Sequence, residues 1–304
     1  MVKKESWWTF PKFVILAAIL GVVIGVFGLG EKLGDILGLW DRKVEVMIMG
    51  DVMLGRSVNT TAQRRGDWKY PFLKTSEELF QADLTLGNLE TPLVPGCKNT
   101  DTGMIFCGNP KMVEGLKLAG FDVLSLANNH IFNYGRSGFE ETEELVESEQ
   151  IVGVGEGEIE EVEVKGVKLA FLAFDDVSNR VNKEKMIQLI KEAKERNEVV
   201  MVSMHWGWEY RSAPNLRQID LGRGAIDAGA NVVWGHHPHW VQSVEEYNGG
   251  YIFYSLGNFV FDQMWSEKTR EGVVARVVMD REGVEEYELL PVRIYDYSQP
   301  KWVE

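Results

Sequence analysis

Five histidines occur in this chain of 304 residues, and every one of them follows a short apolar run. They are His130, His205, His236, His237 and His239. Oxygen-bearing side chains follow apolar runs in the same way, namely Asp51, Asn88, Glu90 and Asn129. Imidazoles and hard oxygen donors without a thiolate suit Mn²⁺, Zn²⁺ or Fe, as one ion or as a pair. The residue types therefore predict a divalent metal site or an acid–base site.

Each of these residues has an ordinary structural interpretation when it is taken alone. A single histidine or asparagine after a strand is usually a hydrogen-bonded turn residue, and Asp51 after a glycine suits a turn or a helix cap. Five histidines that all follow predicted strands are harder to explain in this way. Extended backbone places residues two apart on the same side, so His237 and His239 are predicted to point at one site and His236 away from it.

The apolar runs before these residues are short and nearly continuous, which is typical of buried strands covered on both faces. They are Val44–Met49, Asp83–Leu86, Val123–Ala127, Val199–Met204 and Ala230–Trp234. Composition and periodicity predict helices between them, at 110–119, Gly138–Glu149, Asn182–Arg196 and Asn215–Ala228. Alternating strands and helices favour a largely parallel sheet. Because ligands bind beyond the carboxyl ends of such strands, we expect the polar residues to meet there.

Towards the C-terminus the predicted strands follow one another without helices between them. These strands cover Tyr251–Leu256, Gly272–Met279 and Val284–Leu290. A hairpin is predicted earlier in the chain, where Val162–Val164 precedes a Lys-Gly turn and Val167–Phe174 follows it. These strands suit a second, mixed or antiparallel sheet that packs on the first. The expected fold class is α/β, with two sheets in a sandwich.

Composition and charge exclude several classes of protein. Charged residues at 26% and aromatic residues at 11% are not those of a disordered chain. The formal charge of −14 argues against nucleic acid as a partner, because binding to phosphates needs a basic surface. Two cysteines are too few for a disulfide scaffold or a Cys₄ zinc site. Without residues 1–42 the charge is −15, from 27 basic and 42 acidic side chains.

An uncharged apolar segment of 18 residues, Phe13–Gly30, lies near the N-terminus. At about 1.5 Å of rise per residue it spans roughly 27 Å, enough for the core of a bilayer. Trp7 and Trp8 lie where interfacial aromatic residues are expected. The alternatives are a cleaved signal peptide, for which no A-x-A-like site follows, and a buried soluble helix. We expect a tail, a transmembrane anchor and a linker in residues 1–42, and one domain in residues 43–304.

Cys97 and Cys107 enclose a short polar stretch that has the composition of a loop insertion. A disulfide between them would stabilise the fold by roughly 2–3 kcal/mol and would form only in an oxidising compartment. Two unrelated thiols are the alternative. Lysine and arginine are balanced around the apolar segment, three on each side, so the positive-inside rule does not decide the orientation. The cysteines favour a single-pass protein of the cell membrane whose C-terminal domain lies outside.

Six segments of the domain form a pattern that is specific when they are taken together. They are GDVMLGR (50–56), NLETPL (88–93), SLANNHIFNYG (125–135), HWGWEY (205–210), GHHPHWVQSVE (235–245) and YSLGNFVFD (254–262). Together they resemble the CapA/PgsA family of poly-γ-glutamate capsule synthesis proteins, which is similar to calcineurin-like metallophosphoesterases. The resemblance implies a four-layer α/β sandwich of two mixed β-sheets flanked by helices, after one N-terminal transmembrane helix. It also implies a role in making, exporting or processing an anionic polymer such as poly-γ-glutamate.

The resemblance also implies roles for individual residues. Six of them match the metal ligands of metallophosphoesterases, namely Asp51, Glu90, Asn129, His205, His237 and His239. His130 matches the neighbouring histidine that acts as general acid in that superfamily. An imidazole with a free pKa near 6.5 suits the transfer of a proton to a leaving group.

Six further residues are candidates for contact with a substrate: Arg56, Asn88, Asn128, Trp206, Trp208 and His236. Arg56 lies one turn past the first aspartate and suits a bidentate clamp on a carboxylate or phosphate, with an exposed surface arginine as the alternative. Trp206, Trp208 and Tyr210 alternate along the chain, so an extended segment would present them on one face. Core packing is the ordinary interpretation of this stripe, and the wall of a substrate groove is the functional one.

The chain departs from the metallophosphoesterase pattern at three positions. Met53 stands where those enzymes usually have a histidine, and Asn88 and Asn133 stand where an aspartate is more usual. The loss of an imidazole and a carboxylate should weaken one metal position. A single-metal site is therefore an alternative to a pair of ions.

Three functions are compatible with these features. The first is a surface-anchored protein of capsule or poly-γ-glutamate metabolism with a metal-dependent hydrolase-like site. The second is a metallophosphoesterase that acts on a phosphate ester at the cell surface. The third is a non-catalytic, polymer-binding subunit of a membrane synthase complex. An anionic polymer would be repelled by an acidic domain unless bound dications or a local basic groove compensate.

Overall fold

The computed structural model describes residues 43–98 and 100–303. The predicted transmembrane segment Phe13–Gly30 and the tail before it lie outside these described residues. Among the helices of the described residues, none combines the length and the hydrophobicity that crossing a bilayer requires.

Fourteen strands and seven α-helices occur in the described residues. The strands are β1 (Val44–Val52), β2 (Leu84–Leu89), β3 (Val123–Ser125), β4 (Val152–Val154), β5 (Glu160–Val164), β6 (Val167–Asp175), β7 (Val199–His205), β8 (Val232–His236), β9 (Val244–Tyr247), β10 (Gly250–Phe253), β11 (Asn258–Val260), β12 (Glu271–Asp280), β13 (Gly283–Tyr295) and β14 (Gln299–Trp302). The helices are α1 (Arg56–Arg65), α2 (Ser76–Leu79), α3 (Val113–Leu118), α4 (Gly135–Ser148), α5 (Lys183–Arg196), α6 (Leu216–Asp227) and α7 (Glu267–Arg270). Short 3₁₀ turns cover Tyr70–Phe72 and Pro110–Met112.

The strands form two sheets, and both sheets are mixed. The first has eight strands in the order β14-β13-β12-β1-β2-β3-β4, with β11 also paired to β1. Strands β1 to β4 run parallel, whereas β12 is antiparallel to β1. The second has six strands in the order β5-β6-β7-β8-β10-β9, with parallel strands in the centre and antiparallel strands at both edges. The expectation of two mixed sheets is confirmed.

The assignment of strands to the two sheets differs from the prediction. The predicted strands Gly272–Met279 and Val284–Leu290 lie in β12 and β13, which extend the first sheet. The runs Val199–Met204 and Ala230–Trp234, predicted for the first sheet, contribute β7 and β8 to the second. The reason is long-range pairing, because β12 covers an edge of β1 that would otherwise present unpaired backbone groups. A local hydrophobic pattern does not specify such a partner.

Side chains alternate along β1 and fill two separate apolar layers, as the two-residue period of a strand requires. Val46 and Ile48 lie in a cluster with Phe171 of β6, which places them between the two sheets. Met47 and Met49 lie in the cluster on the other face, where residues of α1, α3 and α4 cover the first sheet. Helices α5 and α6 cover the outer face of the second sheet. The layers therefore run helices, sheet, sheet, helices.

Candidate functional site

The register of the parallel strands places the candidate residues side by side. Asp51 of β1 pairs with Asn88 of β2, and His205 at the end of β7 pairs with His236 at the end of β8. Asn88 also links the two sheets, because its Nδ2 lies 2.9 Å from Asp51 Oδ1 and 3.4 Å from His205 Nδ1. Strand ends of both sheets therefore meet at one site. Asn88 is fully buried and holds these neighbours in place, and it is not among the residues that line the open cleft.

Asp51 is fully buried and accepts hydrogen bonds from several directions. Its Oδ1 accepts from Asn88, and its Oδ2 accepts from His239 Nδ1 at 3.1 Å and from the backbone N–H of His237 at 3.3 Å. Burial alone would raise the pKa of the Asp51 carboxyl. The hydrogen bond from His239 and the neighbouring imidazoles outweigh burial and hold that pKa well below its usual range. Asp51 is therefore the anionic centre of the site.

Glu90 directly follows β2 and is fully buried, yet neither of its carboxylate oxygens has a hydrogen-bond partner among the described residues. Its Oε1 lies 3.8 Å from His205 Nε2 and 3.9 Å from His130 Nε2, which is beyond hydrogen-bond distance. Burial, followed by the negative charge of Asp51, raises the pKa of the Glu90 carboxyl well above its usual value. A buried carboxylate without a partner is costly, so this position requires a proton or a cation.

Glu90, His237 and His239 form a group whose ligand atoms lie within 4.8 Å of one another. His237 has φ 89° and His239 has φ 57°, so the chain turns here and the prediction of an extended segment is wrong. The turn nevertheless brings the two rings together, with their centroids 5.9 Å apart. Burial lowers the pKa of His237 to about 3, which keeps its imidazole neutral, as metal ligation requires.

His236 lies within the site, and the prediction that it points elsewhere is wrong. Its Nδ1 is 3.6 Å from Asp51 Oδ1, and burial lowers the pKa of the His236 imidazole to about 4. The reason is that His236 still belongs to β8, beside His205, whereas the turn begins after it. The ring is buried behind Asp51 and is not among the residues that line the open cleft.

His205 and Asn129 approach Glu90 from the second sheet and from the loop after β3. His205 Nε2 lies 2.9 Å from Asn129 Oδ1, so this nitrogen donates to the amide oxygen. Burial lowers the pKa of His205 well below its usual value, which makes the ring neutral. In this tautomer the ring nitrogen and the amide oxygen satisfy each other beside Glu90, and ligation of a metal by His205 would require Nε2 to release its proton.

His130 is held by two neighbours in a fixed orientation. Its Nδ1 lies 3.1 Å from Asn133 Oδ1, and its ring stacks on Phe106 with centroids 3.9 Å apart. Burial lowers the pKa of the His130 imidazole, and Asn133, unlike an aspartate, brings no negative charge to oppose this. Nδ1 donates to Asn133, so Nε2 carries the lone pair that faces Glu90. Asn133 thus orients the ring.

The donor set fits a divalent cation. It consists of the carboxylates of Asp51 and Glu90, the amide oxygen of Asn129 and neutral imidazoles, without a thiolate, which is the chemistry that Mn²⁺, Zn²⁺ and Fe accept. Among the described residues, the carboxylate of Glu90 has no hydrogen-bond partner that would compensate for its burial, so a bound cation would do so. Met53, in contrast, is fully buried and its sulfur accepts from the backbone N–H of Gly55 at 3.1 Å, so this position adds no ligand.

A cleft of about 330 Å³ opens above this group of residues, with His130 and His239 in its lining. A disulfide joins Cys97 to Cys107. The loop that it closes brings Met104 and Phe106 to the cleft, and the rest of the lining includes Tyr210, Trp265 and Tyr297. Two histidines of the site therefore border the cleft, although both are largely buried, and the other predicted metal ligands are not among its lining residues.

Arg56 lines the cleft but is already engaged by the protein. Its Nη2 pairs with the carboxylate of Asp262, its Nη1 donates to the Gly103 carbonyl at 3.0 Å, and its guanidinium lies 4.5 Å from the centre of the Phe106 ring. Asp262 was not predicted as a site residue. The available signal was its position at the end of the segment YSLGNFVFD, after a buried strand.

The predicted substrate residues Asn128, Trp206 and Trp208 are not among the residues that line the cleft. The Asn128 amide is used within the protein, because Nδ2 donates to the Leu89 carbonyl at 2.9 Å and Oδ1 accepts from the backbone N–H of His130 at 3.1 Å. Trp206 is fully buried in the core, whereas Trp208 is 66% exposed. The two rings do not share a face, because Gly207 between them has φ 87° and breaks the extended backbone. The groove-wall prediction is therefore wrong for Trp206.

Asn258 is a site residue that the sequence did not reveal. It is fully buried at the start of β11, and its Oδ1 lies 2.9 Å from His239 Nδ1. Its Nδ2 donates to the Thr269 carbonyl at 2.9 Å, which fixes the amide. The available signal was its position after Gly257, since β11 pairs with β1 beside Asp51.

Comparison with known proteins identifies the family. Residues 45–263 match the family described as bacterial capsule synthesis protein PGA_cap. The chain is 36% identical to the PGA biosynthesis protein CapA of Bacillus subtilis (strain 168), across 84% of this chain and 73% of that protein. It is 34% identical to the capsule biosynthesis protein CapA of Bacillus anthracis, across 85% of this chain and 69% of that protein.

A solved structure supports the fold independently. A hypothetical protein from Thermus thermophilus aligns with a TM-score of 0.56 at 16% identity, covering 83% of this chain and 100% of that one. At this identity the likeness concerns the fold alone. Membership of a family is shown instead by the match to the family and by the two relatives. The chain belongs to the bacterial capsule synthesis protein family PGA_cap, as the six sequence segments indicated.

Proposed function

We propose that this chain is a membrane-anchored protein of poly-γ-glutamate capsule synthesis, export or processing, with a metal-dependent hydrolase-like site. Membership of the capsule synthesis family and the names of the two CapA relatives support the capsule role. The apolar segment Phe13–Gly30 supports the anchor. The disulfide Cys97–Cys107 supports a domain outside the cell, because such bonds persist in oxidising compartments.

The observation that carries the proposal is the buried carboxylate of Glu90, which has no partner among the described residues and faces the imidazoles of His130 and His205. A divalent ion held by Glu90, His237 and His239 would supply the missing charge. Asp51, Asn129 and His205 stand beside this group. When bound, such an ion would act as a Lewis acid toward an acyl or phosphoryl oxygen of the substrate.

His130 is the residue to which we assign proton transfer. His130 lines the cleft, its Nε2 carries the lone pair that faces Glu90, and Asn133 holds Nδ1 at 3.1 Å. The neutral ring accepts a proton at Nε2 from an attacking water, and the imidazolium then donates it to the leaving group. The ring need not move between the two steps, because Phe106 and Asn133 fix its plane.

A non-catalytic, polymer-binding subunit of a membrane synthase complex is the second candidate. The observation in its favour is Met53, which is buried and bonded to Gly55 where the related phosphoesterases usually have a histidine. In that case the ion would stabilise the domain without turnover. Among the described residues that line the cleft, none specifically favours the remaining candidate, a metallophosphoesterase, because the arginine in the lining is neutralised by Asp262.

The proposal is tested by metal analysis of the full chain purified in detergent. About one ion per chain is expected, and Glu90→Gln should lose most of it because one anionic ligand is removed. Asp122→Asn is the matched control, since Asp122 accepts from the Thr85 backbone N–H at 2.8 Å where β2 and β3 begin, at the other end of the sheet. The same preparations are then screened with γ-glutamyl, phosphomonoester and phosphodiester substrates.

The outcomes separate the candidates. Activity that requires both Glu90 and His130 supports the hydrolase-like site. Bound metal without activity on any substrate, together with binding of poly-γ-glutamate, supports the binding subunit. A wild-type chain without metal and without His130-dependent activity would overturn the metal-dependent site.

A further inference from the structure

The lining of the cleft includes two aromatic rings that are open to solvent. Trp265 is 60% exposed and Tyr297 is 54% exposed, although both line the cleft above His130 and His239. Tyr210 packs edge-on against Trp265, with ring centroids 4.8 Å apart. Exposed aromatic rings offer a large apolar contact area at a low cost in side-chain entropy, which is typical of a binding surface.

Apart from the divalent ion proposed at Glu90, His237 and His239, the charged side chains that line the cleft do not offer a site for an anion. Among the described residues that line it, Arg56 has the one permanent positive charge, and the carboxylate of Asp262 neutralises it. Asp101 adds a negative charge, and its Oδ1 accepts from Thr60 Oγ1 at 2.7 Å. Asp101 Oδ2 also lies 3.7 Å from Arg64 Nη2, so the charged side chains of the cleft are paired with one another or with neighbours. The domain as a whole carries 42 acidic and 27 basic side chains. A polymer of carboxylates therefore meets like charge mainly in the acidic domain around the cleft.

The polar groups that the cleft offers beside the rings are neutral. Gln263 lines the cleft, and its Nε2 donates to the hydroxyl of Tyr210 at 3.3 Å. Its Oε1 lies 3.3 Å from Asn258 Nδ2, so the amide is held between the aromatic wall and the residue that orients His239. Such groups and rings complement a ligand with planar amides and methylene groups.

We propose that the cleft binds a poly-glutamate strand through its uncharged parts, with amide planes and methylene groups lying on Tyr210, Trp265 and Tyr297 and the carboxylates directed to solvent. The inference rests on the proposed function, because it takes poly-glutamate as the polymer. It resolves the conflict between an anionic polymer and an acidic domain, since apolar contact does not need a basic groove. It also predicts the sign of the salt dependence.

Salt should strengthen this complex. The Debye length falls from about 30 Å at 10 mM salt to about 8 Å at 150 mM, so the repulsion between polymer and domain is screened while contact with the rings is retained. The affinity for a γ-linked glutamate oligomer should rise by about threefold or more over this range. A γ-linked glutamine oligomer, which has the same backbone without the carboxylates, should bind with little change. An arginine clamp on carboxylates would show the opposite trend.

The test measures binding of both oligomers to the full chain in detergent by isothermal titration calorimetry, with chelator present so that no bound dication attracts the carboxylates. Trp265→Ala and Tyr297→Ala should each weaken binding by about tenfold, because buried aromatic contacts dominate such interfaces. Trp208→Ala is the matched control, since Trp208 is 66% exposed and lines a separate depression with Leu216 and Arg217. It should bind as the wild type does. Unchanged metal content in each variant before chelation shows that the fold is intact.

Failure of the inference and failure of the proposed function are distinguishable. If the wild type binds the glutamate oligomer but both aromatic variants bind equally well, or if binding weakens with salt and is lost in Arg56→Ala, the inference is overturned and the capsule role stands. If the wild type binds neither oligomer at any salt concentration, the polymer role and the inference are both overturned.

Discussion

The Nδ1 atom of His239 lies 3.1 Å from Oδ2 of Asp51, a contact between residues 188 positions apart in the chain. The carboxylate therefore holds one nitrogen of the ring, and Nε2 is the nitrogen that remains for a ligand. His239 is also one of the two histidines of the site that line the cleft. The contact thus connects the buried anionic centre to the surface on which a substrate would lie.

Asp51→Asn should weaken metal binding by about 10- to 100-fold, because the variant removes a charged donor and loosens the orientation of His239. The measurement is titration of the chelator-treated full chain with Mn²⁺, followed by calorimetry. Asp122→Asn, which changes a carboxyl at the opposite end of the sheet, should bind as the wild type does. An unchanged Kd in Asp51→Asn would contradict the role assigned to the contact.

Glu90→Gln should have opposite effects on stability with and without metal. In chelator and above neutral pH the variant should be more stable than the wild type by about 1–3 kcal/mol, because keeping the buried carboxyl protonated there costs free energy that a neutral amide does not. At saturating Mn²⁺ the order should reverse, since ligand binding stabilises only the chain that binds it. Urea unfolding of both chains in both conditions is the measurement. The same order of stability in the two conditions would show that Glu90 does not hold the ion.

The strand ends that carry the site could be predicted because the polar site residues directly follow the apolar runs that predict the strands. Asp51, Asn88 and His205 each lie at the end of a buried run, and the register of parallel strands brings such ends together. Mixed sheets could be expected because the predicted strands after β8 follow one another without helices between them. The sheet to which β12 belongs could not be predicted, because its antiparallel pairing with β1 joins residues more than 200 positions apart.

Other parts of the site depend on backbone torsion angles, which a hydrophobic pattern does not report. His237 and His239 meet through a turn in which both have positive φ, whereas the alternation rule assumes an extended strand. Gly207 with φ 87° separates Trp206 in the core from Trp208 at the surface for the same reason. In both cases the extended backbone ends before the residues to which the alternation rule was applied, since β7 ends at His205 and β8 at His236.

The metal-free protein should lose stability as the pH falls below 6.5. Unfolded histidines take up protons near pH 6.5, whereas burial lowers the pKa of folded His236 to about 4 and that of His237 to about 3. Between these values the unfolded chain binds more protons, so each histidine contributes a loss of about 1.4 kcal/mol per pH unit. The raised pKa of Glu90 acts in the opposite direction, since its contribution to stability is larger at low pH and is lost as the pH rises.

His237→Gln isolates one of these contributions. Its free energy of unfolding in chelator should fall less steeply than that of the wild type, by about 1.4 kcal/mol per pH unit between pH 6 and pH 4. Between pH 7 and pH 8 the two slopes should agree, which provides an internal control. Equal slopes at acidic pH would mean that His237 titrates normally in the folded chain.

Reduction of the disulfide should destabilise the domain without removing the metal. Cys97 and Cys107 are ten residues apart, and a bridge of this span is worth roughly 2–3 kcal/mol in the entropy of the unfolded chain. The loop carries Phe106, which stacks on His130, but none of Glu90, His237 and His239. Urea unfolding with and without reductant should therefore show a lower midpoint, while the metal content stays constant. As a control, the double variant Cys97→Ser/Cys107→Ser should be as unstable as the reduced protein and insensitive to reductant. Loss of metal on reduction would contradict the prediction and would mean that the loop contributes to the metal site.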